Sequence, residues 1–363
     1  MRRKIEHIVY LLLLVALVLP SGCSTIDDDR SDCPEDIPTP PPGPEPPAPK
    51  DSCQLDYELR LVTNMSTELY TELTTQTEIS VAEELRTHLA AIFTDFAHDV
   101  DLSFYDTVGD SVRLQHDQHL MDANQASYTL NLPKRQYMHL AVANVVDNHV
   151  VSLVNDTQCH TSQLLQETGD TISSHTTGLF TARLPMEILE GVDQEFNVHL
   201  YMANCATTLV IDTIGSGIRD LKVYTTGFAT GFNIADSTYL YIDTPPIVRT
   251  VPVATDVAGQ QTFCSVSFPS PEVPSTRTVI ETTDPFVSPE SENSLWEYRV
   301  YATTATGSVT ESILYVKSPL RAGQLKVIKA KMYANGSTES DDRSVAISVT
   351  LDWNPGGSYN PIL

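Results

Sequence analysis

Apolar and polar residues alternate with a period of two in segment after segment of this chain. Because successive side chains of a β-strand point to opposite faces, this alternation predicts half-buried strands. It is clearest at residues 57–61, 128–132, 138–142 and 196–202. Weaker patterns predict further strands at 207–213, 219–226, 261–268, 295–304, 311–316, 325–333 and 344–353. Many short strands separated by glycine and proline turns predict an all-β chain made of β-sandwiches.

One segment favours a helix. The motif Ser80-Val-Ala-Glu83 is a capping box, in which the serine and the glutamate side chains satisfy free backbone groups at a helix start. It predicts a short helix that ends at about His88. The apolar run from Leu89 to Phe96 predicts a strand after it, and the second half of the chain carries no comparable helix signal.

Length and histidine distribution indicate how the chain is divided. With 363 residues and roughly 150 residues per domain, two domains are expected. All ten histidines lie at or before His199, so the composition changes near residue 205. We therefore predict an N-terminal β-sandwich domain at 54–205, with the short helix, and a C-terminal β-sandwich domain at 206–363.

The first 22 residues have the features of a lipoprotein signal peptide. Three basic residues at positions 2–4 precede an apolar run at 8–19, which is shorter than the roughly 20 residues that a membrane-spanning helix needs. The end of the segment, Gly22-Cys23, resembles a bacterial lipobox, although Pro20 stands where leucine is usual. We predict cleavage before Cys23 and lipidation of its thiol; the alternative is an ordinary secretory signal peptide.

Residues 23–53 are predicted to form a tether. Asp27, Asp28 and Asp29 follow the lipobox closely, in an arrangement that resembles a sorting signal for the outer face of the outer membrane; the alternative is a solvated acidic linker. Nine prolines lie within 34–50. Such a segment is expected to form a polyproline II spacer of about 3.1 Å per residue, which would hold the folded body away from the membrane.

Charge and cysteine content exclude some classes of function. The 47 acidic and 22 basic residues give a net charge of −25, which argues against a nucleic-acid partner because phosphate binding needs clustered cations. Five cysteines remain after Cys23, and an odd number cannot all pair within one chain. A bridge between Cys33 and Cys53 would fold back the stiff spacer. Free or buried thiols with one optional disulfide are therefore expected.

The sequence contains no convincing catalytic or metal motif. His116 and His119 are three residues apart in a polar stretch, which favours a solvated loop over a metal site because no third ligand follows. Gly109-Asp-Ser111 resembles the nucleophile block of some serine esterases, but no histidine follows His199 to serve as its base. We predict a protein without enzymatic activity, catalytic residues, bound metal, cofactor or small-molecule substrate.

The C-terminal segment shows the cleanest alternation in the chain. Its apolar face comprises Val345, Ile347, Val349, Leu351 and Trp353. Such a strand can complete its own sandwich, or it can be donated to the groove of a neighbouring subunit, where backbone hydrogen bonds and side-chain pockets would hold it. Both interpretations remain open at this stage, and these five residues are the strand-donor candidates.

Several blocks together resemble a known family. They are the Cys23-Ser-Thr-Ile-Asp-Asp-Asp-Arg-Ser-Asp-Cys33-Pro block, the opening strand 57–62, the segment 132–144 and the closing strand 345–353. The chain resembles the FimB-type fimbrial anchor family of anaerobic Gram-negative bacteria. The resemblance implies two tandem transthyretin-like Greek-key β-sandwich domains, an outer-membrane lipid anchor at the base of a fimbrium, and a fimbrial shaft subunit (pilin) as partner.

Two other functions compete with the anchor interpretation. The chain could be a tip or accessory pilin that acts as an adhesin, and the sequence does not reveal whether the last strand is free to leave. It could also be a surface glycan-binding lipoprotein, but only two tryptophans are available for exposed aromatic platforms.

Overall fold

A computed structural model of the chain describes residues 52–62, 79–94, 97–108, 112–120, 127–155, 157–214, 217–254, 257–273 and 294–350. All of them belong to one compact unit, Pro49–Leu363. Strands make up most of this part, which contains a single α-helix. The predicted all-β class with a short helix is confirmed. No helix among these residues is both long and apolar enough to cross a membrane.

The described residues of the first half of the chain form ten strands. They are β1 (Ser52–Val62), β2 (Asp99–Asp106), β3 (Arg113–Leu120), β4 (Ser127–Pro133), β5 (Gln136–Ala143), β6 (Val151–Val154), β7 (Gln163–Gln166), β8 (Thr171–Ser173), β9 (Phe180–Glu187) and β10 (Glu195–Met202). Seven of these strands form one sheet in the order β3-β2-β5-β9-β10-β1-β4. β1 runs parallel to β10 and antiparallel to β4.

The alternation in β1 produces the burial that the sequence predicts. Leu55, Tyr57 and Leu59 are buried, whereas Asp56 and Arg60 between and beside them are exposed. β2 differs, because every one of its residues is buried. Its sequence nevertheless alternates, with Asp99, Asp101 and Ser103 on one face and Val100, Leu102 and Phe104 on the other, so a usable period-two signal was missed there.

The helix α1 (Ile79–Ile92) is longer than predicted. Val81, Leu85 and Leu89 follow one another at intervals of four residues and are almost completely buried in the core that also contains residues of the seven-stranded sheet. Leu89 therefore continues the apolar face of the helix, and the predicted strand at 89–96 is wrong. The helix begins at Ile79, so Ser80 lies in its first turn rather than before it.

The second half forms twelve strands over the residues that the structure describes. They are β11 (Cys205–Ile214), β12 (Ile218–Thr226), β13 (Gly231–Asn233), β14 (Thr238–Leu240), β15 (Ile247–Arg249), β16 (Val251–Val253), β17 (Gln260–Ser267), β18 (Trp296–Thr304), β19 (Val309–Val316), β20 (Leu325–Tyr333), β21 (Thr338–Glu339) and β22 (Val345–Thr350). The strands predicted over this half are confirmed to within a few residues at their ends. The short strands β13, β14, β15, β16 and β21 were not predicted.

Two sheets of the second half enclose a common core. One has the order β16-β17-β11-β20-β21 and the other the order β22-β19-β18-β12-β15-β8. Residues from both sheets, among them Leu209, Trp296 and Ile328, form one buried apolar cluster. The indole nitrogen of Trp296 donates to the Ser318 carbonyl at 3.0 Å, which satisfies the one polar atom of this side chain.

Strands from the two halves of the chain pair with each other in two places. β8 of the first half lies parallel to β15 at the end of the six-stranded sheet. A four-stranded sheet has the order β14-β13-β7-β6, so β7 of the first half pairs with β13 of the second. The predicted boundary at residue 205 falls at the first residue of β11. The division into domains 54–205 and 206–363 stays a prediction.

The histidine pair was expected in a loop, and this expectation is wrong. His116 and His119 both lie in β3, which pairs antiparallel with β2 at one end of the seven-stranded sheet. Among the described residues, β3 is an edge strand of this sheet, with β2 as its one neighbour. An edge strand can carry polar residues on both of its faces, so β3 lacks the period-two pattern that identifies a strand.

Candidate functional site

The predicted donor strand is present as β22 and pairs with its own chain. It lies antiparallel to β19, with Val345 opposite Val316 and Thr350 opposite Glu311. Within the part of the chain that the structure describes, β19 is the one strand it pairs with, so β22 occupies the edge of the six-stranded sheet. An edge strand leaves a row of backbone N–H and C=O groups free to pair with another chain.

The structure accounts for part of the predicted donor set. The side chains of Val345 and Ile347 are half-buried and pack against the core of the second half. Val349 lies within β22. Leu351 and Trp353 lie outside the described residues. The strand therefore completes its own sheet, which is one of the two interpretations that the sequence left open.

A turn held by Asp342 sets the start of β22. The Asp342 carboxylate accepts hydrogen bonds from the backbone N–H of Ser344 at 2.8 Å and from its hydroxyl at 2.7 Å. The ammonium of Lys326 lies 3.2 Å from the same carboxylate. Burial opposes ionisation of Asp342, but these hydrogen bonds and the ammonium outweigh it and hold its pKa below the usual range. This turn ties β22 to β20 as well as to β19.

The predicted lipidation site, Cys23, and the rest of the tether up to residue 51 lie outside the described residues. The four cysteines that the structure describes, Cys53, Cys159, Cys205 and Cys264, are all free thiols. Cys205 and Cys264 are fully buried, and burial raises the pKa of Cys264 to about 12. A thiol with so high a pKa is protonated at neutral pH and is a poor nucleophile.

His116 of β3 contacts a carboxylate of the neighbouring strand β2. Nε2 of His116 lies 2.6 Å from the nearly buried Asp101 carboxylate, which also accepts hydrogen bonds from Gln118 at 2.9 Å and Asn155 at 2.7 Å. Among the described residues, no group of three or more His, Cys, Asp or Glu side chains is placed to hold a metal ion. The esterase-like block Gly109-Asp-Ser111 lies outside the described residues.

Sequence reasoning missed an open groove of about 770 Å³ beside β12, which we call the β12 groove. It is lined by residues 218–224, 249–250, 252–254 and 260–263. Arg219, Lys222 and Arg249 bring three positive charges to it, against the single carboxylate of Asp220. Arg219 and Lys222 lie close together on a predicted strand of a strongly acidic chain, and this pair could have indicated a positively charged surface. Arg249 could not have been added to it, because it lies in a short strand that the sequence did not predict.

Comparison with known proteins identifies the family. The family model described as fimbrillin-A associated anchor proteins Mfa1 and Mfa2 matches residues 63–288, which is more than half of the chain. No curated protein matches the chain in a sequence search.

Several solved structures match the chain at low identity, each with a TM-score below 0.5. A candidate cell adhesion protein from Bacteroides eggerthii is 10% identical, with 84% of this chain and 97% of that chain covered and a TM-score of 0.48. A candidate polysaccharide-binding protein from Bacteroides thetaiotaomicron is 11% identical, with 80% and 99% covered and a TM-score of 0.48. The fimbrial anchor protein Mfa2 from Porphyromonas gingivalis is 9% identical, with 83% and 99% covered and a TM-score of 0.43.

The match of the family model confirms the resemblance that the sequence blocks indicate. Such a family places the protein at the cell surface in association with fimbriae. This chain belongs to the family of fimbrillin-A associated anchor proteins.

Proposed function

We propose that this protein is a non-enzymatic outer-membrane lipoprotein that anchors a fimbrial shaft to the cell surface. The observation that carries the proposal is its membership of the anchor family, through a match that runs over residues 63–288. The partner is then a fimbrial shaft subunit, and the role of the protein is mechanical: it must hold the shaft on one side and the membrane on the other.

The membrane side of this role falls to Cys23. The sequence around it resembles a lipobox, and more than one acyl chain on a single N-terminal cysteine gives stable attachment where one chain would give marginal attachment. The proline-rich segment 34–50 supports the proposal because a stiff spacer would hold the body above the membrane surface.

The shaft side falls to β22, by donation or by augmentation. For donation, β22 would leave β19 and enter the groove of the base pilin. For augmentation, β22 would stay in place, and its free edge would pair with a strand of the pilin. The edge position of β22 and the half-burial of Val345 and Ile347 support both routes, because such a strand is held by one neighbour and by a partly covered apolar face.

The test is deletion of the gene in the native strain, followed by electron microscopy of the cells and a blot of the culture medium for fimbriae. We expect long fibres to be lost from the cells and recovered in the medium. Fibres that remain on the cell surface in unchanged number would contradict the anchor role.

Complementation separates the lipid from the rest of the protein. The Cys23→Ser variant is expected to leave the membrane fraction and to fail to retain fibres, because serine lacks the thiol that receives the lipid. The matched control is Cys53→Ser, which changes a half-buried cysteine of β1 and should restore retention. A Cys23→Ser protein that stays in the membrane fraction would contradict lipid anchoring.

A further inference from the structure

The β12 groove lies where one strand leaves the six-stranded sheet. β12 pairs with β18 along its whole length, but β15 covers only Tyr224 and Thr225 on its other side. After Thr250 the chain crosses to the five-stranded sheet and pairs with β17 as β16. Within the described residues, the stretch from Ile218 to Lys222 therefore has a partner strand on one side only.

The backbone of this stretch is oriented for a second partner. The Thr250 N–H donates to the Val223 carbonyl at 3.3 Å, so the backbone groups of Val223 face the groove side of β12. Because backbone groups along a strand point to alternate edges, Leu221 presents its N–H and C=O to the same side. No described residue bonds with Leu221 there. A β-bulge at Arg219 marks the far end of this free edge.

The two faces of the free edge differ in chemistry. Leu221 and Val223 point into the apolar core between the two sheets, and Phe263 of the same core also lines the groove. Lys222 points outward, because it stands opposite Tyr301, whose ring packs on the outer face. Arg249 stands opposite Tyr224 and lies on the same outer face. A strand added here would place alternate side chains against apolar residues and against cations.

The cations of the groove have no ion pair within the described part of the chain. At least seven of the thirteen other described lysines and arginines do: Arg60, Lys134, Arg135, Arg299, Arg321, Lys326 and Lys331 each lie within 4 Å of a carboxylate. Arg219, Lys222 and Arg249 have no such partner, although acidic residues outnumber basic ones by 47 to 22 in the whole chain. Opposite charges directly across two strands attract, so the groove fits acidic side chains.

We infer that the β12 groove binds an extended acidic peptide of a partner protein, which adds to the free edge of β12 as a further strand with its acidic side chains outward and its apolar side chains inward. The bound peptide would lie beside β12 at the position that β15 would occupy if it were longer. The inference goes beyond the proposed anchoring by β22, because β22 and β12 are separated by β19 and β18 in the sheet.

The test uses the purified mature protein and a fluorescein-labelled peptide of three Glu-Val repeats, with binding followed by fluorescence anisotropy. We expect saturable binding that weakens as salt is added. A peptide of three Lys-Val repeats and one with the glutamates and valines in two blocks should bind at least about tenfold more weakly. Equal binding of all three peptides, or none, would overturn the proposal.

Two further variants of the probe and the protein test the geometry. The double variant Lys222→Glu with Arg249→Glu should weaken binding by about tenfold or more, while Arg86→Glu, on the exposed face of α1, should leave it unchanged. Arg249 and Arg86 are exposed and Lys222 is half-buried, so circular dichroism of each variant is needed to check that the fold is unchanged. Glu-Val peptides N-methylated on the valines or on the glutamates should differ, because only one of the two sets of N–H groups faces β12. Equal effects of the two protein variants, or of the two methylation patterns, would contradict strand addition.

Discussion

At the scale of single residues, burial decides what the ionisable groups of this protein do. His139 is completely buried, its ring stacks on Phe104 at 4.3 Å, and its nitrogens contact the Tyr57 hydroxyl and the Ser103 carbonyl. Desolvation lowers the pKa of His139 to about 4. It also lowers the pKa of the buried His175 to about 3. Both imidazoles are neutral structural groups at neutral pH.

These depressed values predict a loss of stability in mild acid. In the unfolded chain a histidine takes up a proton near pH 6.5, whereas in the folded protein His139 resists protonation down to about pH 4. Between these values the unfolded state binds more protons, so the free energy of unfolding falls as the pH falls. The His139→Gln variant should reduce that slope by up to about 1.4 kcal/mol per pH unit, as measured by urea unfolding at several pH values.

The control for this prediction is His149→Gln, because the side chain of His149 is exposed. It should leave the slope unchanged. If His139→Gln unfolds with the same pH dependence as the unmodified protein, desolvation of His139 does not contribute to acid sensitivity.

The polar network around Asp101 shows a limit of sequence reasoning at this scale. His116 was recognised as a residue with possible ligand chemistry, but its partner depends on the register of β3 against β2, which places Gln118 opposite Asp101. That register comes from tertiary structure. Nothing in the spacing of His116 and His119 could identify a carboxylate of another strand as the group that His116 binds.

At the scale of elements, β22 combines the features of a strand that can be shared. It has one neighbouring strand among the described residues, a turn held by Asp342 before it, and half-buried apolar side chains. A central strand such as β18, which is paired on both sides, would have to break two ladders to leave the sheet. The cost of releasing β22 is one ladder and part of an apolar face.

Substitution of the last apolar positions tests the use of β22. The double variant Val349→Asp with Leu351→Asp should abolish capture of the shaft in cells, because charged side chains cannot enter the apolar pockets of a groove. The purified variant should keep the thermal unfolding midpoint of the parent within a few degrees. The control is Ser348→Asp, at the next position in the alternation, which should retain capture. Loss of folding in the double variant would favour a purely intramolecular role.

The elements predicted correctly are those long enough to show their period. β1 and β10 have one buried and one more exposed face, so alternation identifies them. β17 and β18 of the second half are buried at nearly every position, and their weaker patterns still located them to within a few residues. α1 was predicted too short because its last turn, around Leu89, reads equally well as a buried strand. β13 to β16 are three residues long, which is too short for any period, and they contain the Arg249 that completes the β12 groove.

At the scale of the whole molecule, the two halves of the chain are joined through shared sheets and a shared core. Ile172 of β8 and Val248 of β15 belong to one buried cluster. Between β10 and β11, Asn204 is completely buried, and its backbone carbonyl accepts a hydrogen bond at 2.9 Å from the N–H of Gly323 in the second half. For a protein proposed to bear load between a shaft and a membrane, such joints distribute force over both halves.

This arrangement predicts that the folded body, residues 49–363, unfolds in one cooperative transition. A fragment of residues 49–204 would lose β13 and β15, which pair with β7 and β8, and would expose buried side chains such as Leu164. We therefore expect one calorimetric peak for the whole body, and for the fragment no cooperative peak until residues 205–363 are added as a second chain. Two peaks in the whole body, one of them reproduced by the fragment alone, would show instead that the predicted domains 54–205 and 206–363 fold independently. In that case the sheets that strands of both halves share would be contacts between independently folded domains. Force could then separate the two halves before either one unfolds.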